Sequence, residues 1–569
     1  MLRFIRQRYS QLKERLPARA QTALGYLVDA LILGTFWLVT SFWLNIRYPV
    51  IYPFEENYRI SIEVSVLLIL LAVAQLFKLR LRWWMFALLS VCAVALRLFL
   101  TADNISNRFL YHDFRVPIDL HLVPEFFRLL YDTSPGPQLA SYTALLVGFI
   151  IVSFLLSGFG SWLSYRTLAR PSARHVLAVG ILGLCVAGVV AAADGPMLYT
   201  RLVSKRVNKE IIAYGKLDAE RTKIRQQIKG VSERIGVGDR LDKLQGNNVL
   251  FFYVESYGRT IWERPEHEQI LEPVYREVDR NLKDAGFDVV SKFVTSPTFG
   301  GFSWFAHETI NTGFKVVSHL HSRLLQEEKP TGLGHYFRDA GYRPIWVAPA
   351  TTRPWPGMED HWGFQSNYFS WQLGYKGPSF AWAPMPDQYV IDYIHRKEVA
   401  RSAQPLFIEY VLISTHAPWS DIPRYVQDWS QIGDGSIYNK IGRDKYNVSW
   451  SHLEDAAEAY SKSIEYDLRV LENYFVQFIH DDSLIIVLGD HQPNQAITGP
   501  DNLTWSVPMH IISRKKEFIE PFERRGFTPG MVPRQPLPHV GMERFLEEFL
   551  SDFSSEPLTV DPGVWGPPS

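Results

Sequence analysis

Cysteine is nearly missing from this chain of 569 residues: there are two, Cys92 and Cys185, and both lie inside apolar runs. From residue 195 onward there is none, which excludes a disulfide framework and any thiolate metal site from that portion. A charge excess of either sign is missing too. Lys and Arg number 59, as do Asp and Glu, so the formal balance is zero and nothing in it selects a nucleic-acid partner. No internal repeat or long low-complexity segment is present. Long hydrophobic runs are scarce only in part of the chain. Most fall before residue 195, and the remainder has the mixed composition of a soluble domain.

A helix needs about 20 predominantly apolar residues to cross a bilayer. Five runs approach this: Leu24–Ile46, Ser61–Phe77, Trp83–Thr101, Leu139–Leu163 and Val176–Ala193. Five such runs in one-third of a chain read as membrane spans rather than as core helices. Asp29 and Arg97 lie within them and are expected to face other helices or an interface. Lys and Arg near span ends set orientation. Arg3, Arg6, Arg8, Lys13, Arg15 and Arg19 precede the first span, Lys78, Arg80 and Arg82 follow the second, and Arg166, Arg170 and Arg174 follow the fourth. With five crossings and the N-terminus inside, all three basic segments share the cytoplasmic side, and the C-terminal portion lies outside. The first span can itself direct insertion, without a cleaved signal.

These runs divide the chain into a transmembrane domain over 1–195, a charged helical connector over 196–246 and an extracytoplasmic domain over 247–569. In the last, apolar runs alternate with helical stretches, the pattern of an α/β fold with a mostly parallel central sheet. Three runs end alike. "NNVLFFYVESYGR" places Glu255 just past its apolar residues, "PLFIEYVLISTHAPW" places His416, and "SLIIVLGDHQP" places Asp490 and His491. Ligands of open α/β sheets bind beyond the carboxyl ends of the strands. Each residue alone reads equally as a loop group or, for Asp490, as a helix cap; three together favour a site. Two carboxylates and a neutral imidazole suit one divalent ion, zinc or manganese rather than calcium.

A fourth donor is expected in "SPTFGGFSWFAHETINTG", where Gly300 and Gly301 allow a tight turn and a helical stretch runs to a cap at Gly313. Ser303 opens that helix, where backbone N–H groups and the dipole favour an anion. It reads either as a simple N-cap or as a metal-bound nucleophile. Thr295 and Thr298 are rival hydroxyls, but neither follows the glycine pair. His307 and His361 read as satisfied histidines rather than pocket residues.

The spans, the connector, "VESYGR", the Gly-flanked hydroxyl, "STHAPW" and "LGDHQP" resemble the lipoteichoic acid synthase type of phosphoglycerol transferase, of the alkaline phosphatase/sulfatase superfamily. The layout matches over nearly the whole chain, while the motifs occupy short segments between 250 and 495. "YSKSIEYDLRVLENYF", Tyr460–Phe475, resembles the helix that precedes the Asp-His strand. The resemblance implies that Glu255, Ser303, Asp490 and His491 hold the metal, that Ser303 is also the nucleophile, and that His416 contacts the phosphate or leaving group. It nominates Arg353 and Trp355, in "TTRPWPG", for gripping the phosphoglycerol group. It also implies a phospholipid donor, with phosphatidylglycerol favoured, a glycan or glycolipid acceptor, and a place in the bacterial cytoplasmic membrane. Where the family usually has Thr as nucleophile, this chain has Ser.

Three other readings compete. A sulfatase would need Cys or Ser in a C/S-x-P-x-R pattern, and "SPTFGG" lacks the Arg. A phosphoethanolamine transferase shares the layout, but those acting on lipid A usually carry several disulfides. A nonenzymatic membrane sensor would be marked by a lost ligand, and none is lost. The topology makes a testable statement. Cysteines introduced after Asn247 are expected to react with a membrane-impermeant maleimide in intact spheroplasts, and labelling only after lysis would reverse the orientation.

Overall fold

The computed structural model describes residues 17–46, 58–134, 136–194, 199–236, 240–354, 362–448, 456–499 and 504–556. The chain forms two compact units. One comprises residues up to Leu217 apart from Arg108–Tyr111, and the other comprises those four residues with Asp218 onward.

Five apolar helices shape the first unit: α1 (Ala18–Asn45), α2 (Ile62–Leu76), α3 (Trp83–Leu110), α4 (Gly136–Thr167, with one π turn at Leu155–Phe159) and α5 (Pro171–Asp194). All but α2 are long and apolar enough to cross a membrane. At 15 residues, α2 spans about 22 Å at 1.5 Å per residue, short of a ~30 Å hydrocarbon core. All of these helices except α2 extend past their apolar runs into flanking residues. Asp29 is fully buried; it meets Arg170 at 2.5 Å and accepts a 2.6 Å bond from Ser172. Arg97 is buried as well, donating to the carbonyl of Ile46. Two connector helices follow, α6 (Leu202–Gly215) and α7 (Leu217–Ile235), and then α8 (Pro265–Asp284).

The second unit is built on an eight-stranded sheet. Its strands are β1 (Val249–Val254), β2 (Asp288–Thr295), β3 (Arg343–Ala348), β4 (Ser366–Phe369), β5 (Leu406–Val411), β6 (Leu484–Gly489), β7 (Ser506–Ser513) and β8 (Thr528–Pro529). Their order is β8-β2-β7-β6-β1-β5-β3-β4. Every neighbouring pair from β6 to β4 is parallel, while β7 runs against both β6 and β2. Both faces are covered. Leu250, Phe252 and Val254 join one core with Ile408, Tyr410, Ile485 and Val487, while Val249, Phe251 and Tyr253 join the other with Phe407, Leu484, Ile486 and Leu488. A strand has a side-chain period of two, so burial on both faces requires continuous apolar runs rather than alternation. Across β1 and β5, Phe252 and Tyr410 stack 4.5 Å apart at 5°. Such a ring pair adds about 0.5–1.5 kcal/mol beyond its buried area.

Gly489, the last residue of β6, pairs with Val254 of β1. A Cβ there would stand 1.9 Å from the carbonyl oxygen of Tyr257 and 3.1 Å from Val507 Cβ. The backbone cannot yield cheaply, and the next residue is Asp490. Gly489→Ala is therefore expected to cost about 1–3 kcal/mol, the usual range for overpacking, and to displace Asp490. Thermal unfolding of the purified chain checks this; an unchanged midpoint would show that the β6 end is looser than its contacts indicate.

Candidate active site

The sheet order makes β6, β1 and β5 neighbours, and their carboxyl ends lie together. Glu255 follows β1, Asp490 and His491 follow β6, and His416 comes five residues after β5. Glu255, Asp490 and His491 are all buried, and one ligand atom from each lies within 4.8 Å of the others. Ser303 arrives from a different element. It is the first residue of α9 (Ser303–Thr312), after a turn in which Gly300 and Phe302 are left-handed. That turn is tied to the Asp-His loop by a Phe299–Gln492 bridge, with Gly300 N donating to the Gln492 carbonyl at 3.0 Å.

The Ser303 hydroxyl caps no backbone group. It donates to Glu255 Oε2 at 2.8 Å and lies 3.1 Å from His491 Nε2. His491 Nε2 is also 3.2 Å from Glu255 Oε1 and 3.8 Å from Asp490 Oδ2. The other ring nitrogen is committed, because Nδ1–H donates to the Gln492 carbonyl at 2.8 Å. This leaves Nε2 as the free donor atom, the usual way a ligating imidazole is oriented. Asp490 Oδ1 accepts from the N–H groups of Ser256 (2.8 Å) and His491 (2.7 Å), and Asp490 caps no helix; the following helix starts at Gln495 with Asn494 as its cap. Ser256 has φ of 57°, a strained value for a non-glycine residue that aims its N–H at Asp490.

Burial raises the Asp490 carboxyl to about 8, reinforced by the charge of Glu255 beside it. Burial would lower His491, but the two carboxylates hold it up at about 9. For Glu255 burial acts upward, yet the charges of His491 and His416 and the Ser303 hydroxyl outweigh it and hold the carboxyl below its ordinary range. The cluster thus retains protons to balance two buried carboxylates. A divalent cation would supply that balance instead, with release of the protons. Two carboxylate oxygens, a free imidazole nitrogen and a hydroxyl in one buried focus fit such an ion, and the donor set suits zinc or manganese.

His416 is half-buried, its Nδ1–H donating to the Ala417 carbonyl at 2.6 Å, and its charge bears on Glu255. Arg353 is exposed, and Trp355 and His361 lie outside the described residues. His307 is buried behind the site, its ring centroid 4.3 Å from that of Tyr253, and burial pulls it down to about 3. The rival hydroxyls are engaged elsewhere: Thr298 donates to the Gly301 carbonyl at 2.7 Å and Thr295 to that of His539 at 3.0 Å. Sequence reading passed over Ser256, Thr415 and Tyr460. Thr415 Oγ1 donates to the Glu255 carbonyl and Tyr460 OH to that of Ser256. Tyr460 lies in the helix singled out above, here α10 (Ala457–Phe478), so its position was signalled though its contact was not.

Residues 308–504 match the sulfatase family model. That stretch includes His416, Asp490 and His491 and stops short of Glu255 and Ser303. No curated protein matches the chain. Among solved structures, it is similar to a phosphoglycerol transferase, GacH of Streptococcus pyogenes in complex with sn-glycerol-1-phosphate, at 15% identity and a TM-score of 0.37, covering 59% of this chain and 81% of that one. It is similar to the integral membrane lipooligosaccharide phosphoethanolamine transferase EptA of Neisseria meningitidis at 12% identity and a TM-score of 0.46, covering 94% and 95%. Similarity to the lipoteichoic acid synthase LtaP of Listeria monocytogenes is at 12% identity and a TM-score of 0.33, covering 56% and 76%.

The geometry makes Glu255, Asp490 and His491 interdependent. Replacing any one by Ala is expected to weaken binding of manganese or zinc beyond the ~10–100-fold typical of an outer-shell change, as read by elemental analysis after dialysis against a metal buffer. Full retention by any of the three places that residue outside the ligand set.

Proposed function

We propose that this chain is a membrane-anchored, metal-dependent transferase that moves a phosphoglycerol headgroup from a phospholipid to a glycan or glycolipid through a covalent intermediate on Ser303. One observation carries the reading: Ser303 Oγ sits at the focus of Glu255 and His491, at 2.8 and 3.1 Å. A hydroxyl held against a carboxylate and a free imidazole, at the start of a ten-residue helix, is placed to attack a phosphorus atom and to receive its anion.

In this reading Glu255, Ser303, Asp490 and His491 would hold the ion, manganese or zinc. When bound, the ion lowers the hydroxyl's pKa and offsets charge on the phosphoryl oxygens. Ser303 Oγ attacks the donor phosphodiester, forming the Oγ–P bond as the bond from phosphorus to the diacylglycerol oxygen breaks. The Ser303 proton is released to water, since Glu255 is held below the ordinary carboxylate range, and His416 gives a proton to the departing diacylglycerol oxygen. In the second step an acceptor hydroxyl attacks the same phosphorus, His416 takes its proton, and Ser303 leaves and is reprotonated. Water exclusion favours transfer over hydrolysis, and the burial of all three ion-holding side chains supports it. Arg353 and Trp355 are assigned to the phosphoglycerol group, Arg353 as a fork for phosphate oxygens.

Residues 1–195 would anchor the chain in the bacterial cytoplasmic membrane, 196–246 would connect, and 247–569 would work on the extracytoplasmic side, where a phospholipid donor is at hand.

Ser303→Ala is expected to retain fold and metal but to lose turnover by about 10³-fold or more, the scale of removing a nucleophile. Ser303→Thr keeps the hydroxyl and should keep part of the activity. Intact-mass measurement with phosphatidylglycerol should show one phosphoglycerol adduct on the wild type and none on the alanine variant. An adduct that persists in Ser303→Ala would show another hydroxyl to be the nucleophile. A phosphoethanolamine adduct, formed from phosphatidylethanolamine alone, would retain the site and reassign the donor.

A further inference from the structure

His416 is held by a segment that the reading above does not use. Phe380 and Ala383 exchange hydrogen bonds, N–H to carbonyl in each direction at 2.8 and 2.9 Å. They close a two-residue turn with Ala381 and Trp382 at its tip. Ala381 has φ of 48°, in the left-handed region where an L-residue with a Cβ is strained. A non-glycine residue there costs about 1–2 kcal/mol, and such strain persists where the surrounding structure fixes it. The turn delivers Trp382 onto His416: the rings stack with centroids 4.6 Å apart and planes at 23°.

The same segment grips the backbone that carries His416. Asp387, five residues beyond Trp382 and fully buried, accepts from the N–H of Ile413 with both oxygens, at 3.0 and 2.9 Å, and from that of Ser414 at 2.6 Å. Its own N–H donates to Ser414 Oγ at 3.0 Å. His416 N in turn donates to the Ile413 carbonyl at 3.1 Å, so the turn bearing the imidazole is built on the two residues that Asp387 holds. Thr415, between them, is fixed to the Glu255 carbonyl at 2.6 Å.

We propose that Trp382 is a positioning residue for His416: with Asp387 clamping the loop beneath, the indole fixes the imidazole plane so that Nε2 faces the phosphoryl group. Stacking fixes a plane but leaves an edge free. With Nδ1–H engaged by the Ala417 carbonyl at 2.6 Å, that free edge presents Nε2 alone. An imidazole with one face uncovered can rotate about its Cβ–Cγ bond, and a misplacement of ~1 Å costs about 10²-fold in a proton-transfer step that needs alignment. The stacking contact itself is worth only about 0.5–1.5 kcal/mol. Its consequence is therefore kinetic rather than global. This inference rests on the transferase reading only where it gives His416 a role at the phosphoryl group; the placement of the ring is independent of it.

The test is a double-mutant cycle on the full-length detergent-solubilised protein, following adduct formation on Ser303 with phosphatidylglycerol in single turnover. Trp382→Ala is expected to slow the maximal rate about 10–100-fold with the half-saturating lipid concentration unchanged, and Trp382→Phe to restore most of it. In a His416→Ala background the same Trp382→Ala change should cost less than about twofold, because a residue acting through His416 has nothing left to position. An equal cost in both backgrounds, or a loss that follows metal content, overturns the proposal. A second measurement does not need the transfer reaction. Carbethoxylation of His416 by diethyl pyrocarbonate, mapped by mass spectrometry, should be several-fold faster in Trp382→Ala than in the wild type or Trp382→Phe. An unchanged rate overturns the positioning role even where adducts form. A wild type that forms no adduct with any phospholipid overturns the transferase reading, and the carbethoxylation rates then decide the placement alone.

Discussion

Two carboxylates and one imidazole buried within 4.8 Å of one another are the constraint on which the rest of the sheet-bearing unit depends. Moving an ion out of water costs several kcal/mol even after relaxation, so such groups persist only where every lone pair is placed. Asp490 Oδ1 is fixed by two backbone N–H groups and His491 Nδ1 by one carbonyl, which leaves one carboxylate edge and one nitrogen facing inward. Placement to a fraction of an ångström needs rigid supports. Two adjacent parallel strands give them, because parallel strands end on the same edge and β6 and β1 are neighbours in the sheet, with β5, which leads to His416, on the far side of β1. The hydroxyl comes from a helix start instead, where φ values closed to most residues let the chain turn sharply toward the strand ends.

The membrane-embedded unit meets the same rule in another solvent. In hydrocarbon a charge finds no water, so it must find a partner within the bundle. Asp29 has Arg170 and Ser172. Asp103, near the end of α3, receives both forks of Arg206 from α6, at 2.8 and 2.9 Å, while the guanidinium also reaches the Phe114 carbonyl at 2.7 Å and lies 4.8 Å from the Phe99 ring centroid. Bidentate pairing fixes direction as well as distance, so Arg206 fastens the first connector helix to α3 in one orientation.

Much of this was legible in the sequence, and what was not has identifiable causes. Glu255, Asp490 and His491 stood out because each is a polar residue ending a continuous apolar run, a pattern that burial on both faces of a parallel sheet imposes. The same burial hid the direction of β7: Ser506–Ser513 is buried throughout and shows no alternation to mark it as antiparallel. Arg353 was nominated by the likeness of "TTRPWPG" to a headgroup-gripping segment, a short match that says nothing of what the side chain reaches here, and it is exposed. Asp387 gave no signal because a local explanation sufficed; it lies in the first turn of a helix, Asp387–Ile394, where acids are ordinarily found. Its bonds to Ile413 and Ser414 cross 26 and 27 residues, and no local pattern encodes a contact at that separation. Trp382 is hidden for the same reason.

The helix that Ser303 opens is polar yet almost wholly buried, and this has an electrostatic reason. His307, Glu308 and Asn311 of α9 are all buried, as is Glu409 of β5. Were both glutamates ionised, they would add negative charge behind a focus that already holds two carboxylates. Burial prevents it. Glu308 is pushed up to about 7 even though Ser322 and Gln326 donate to it, and Glu409 to about 8 even though Asn311 does. His307 is pulled down to about 3 by burial and so adds no positive charge to compete for the site. At neutral pH the surrounding polar groups therefore contribute dipoles rather than net charge, apart from a share of Glu308. The charge at the focus is then set by Glu255, Asp490 and His491, beside the N-terminus of α9. A polar interior kept neutral in this way lets one small cluster at two strand ends set the charge of the site.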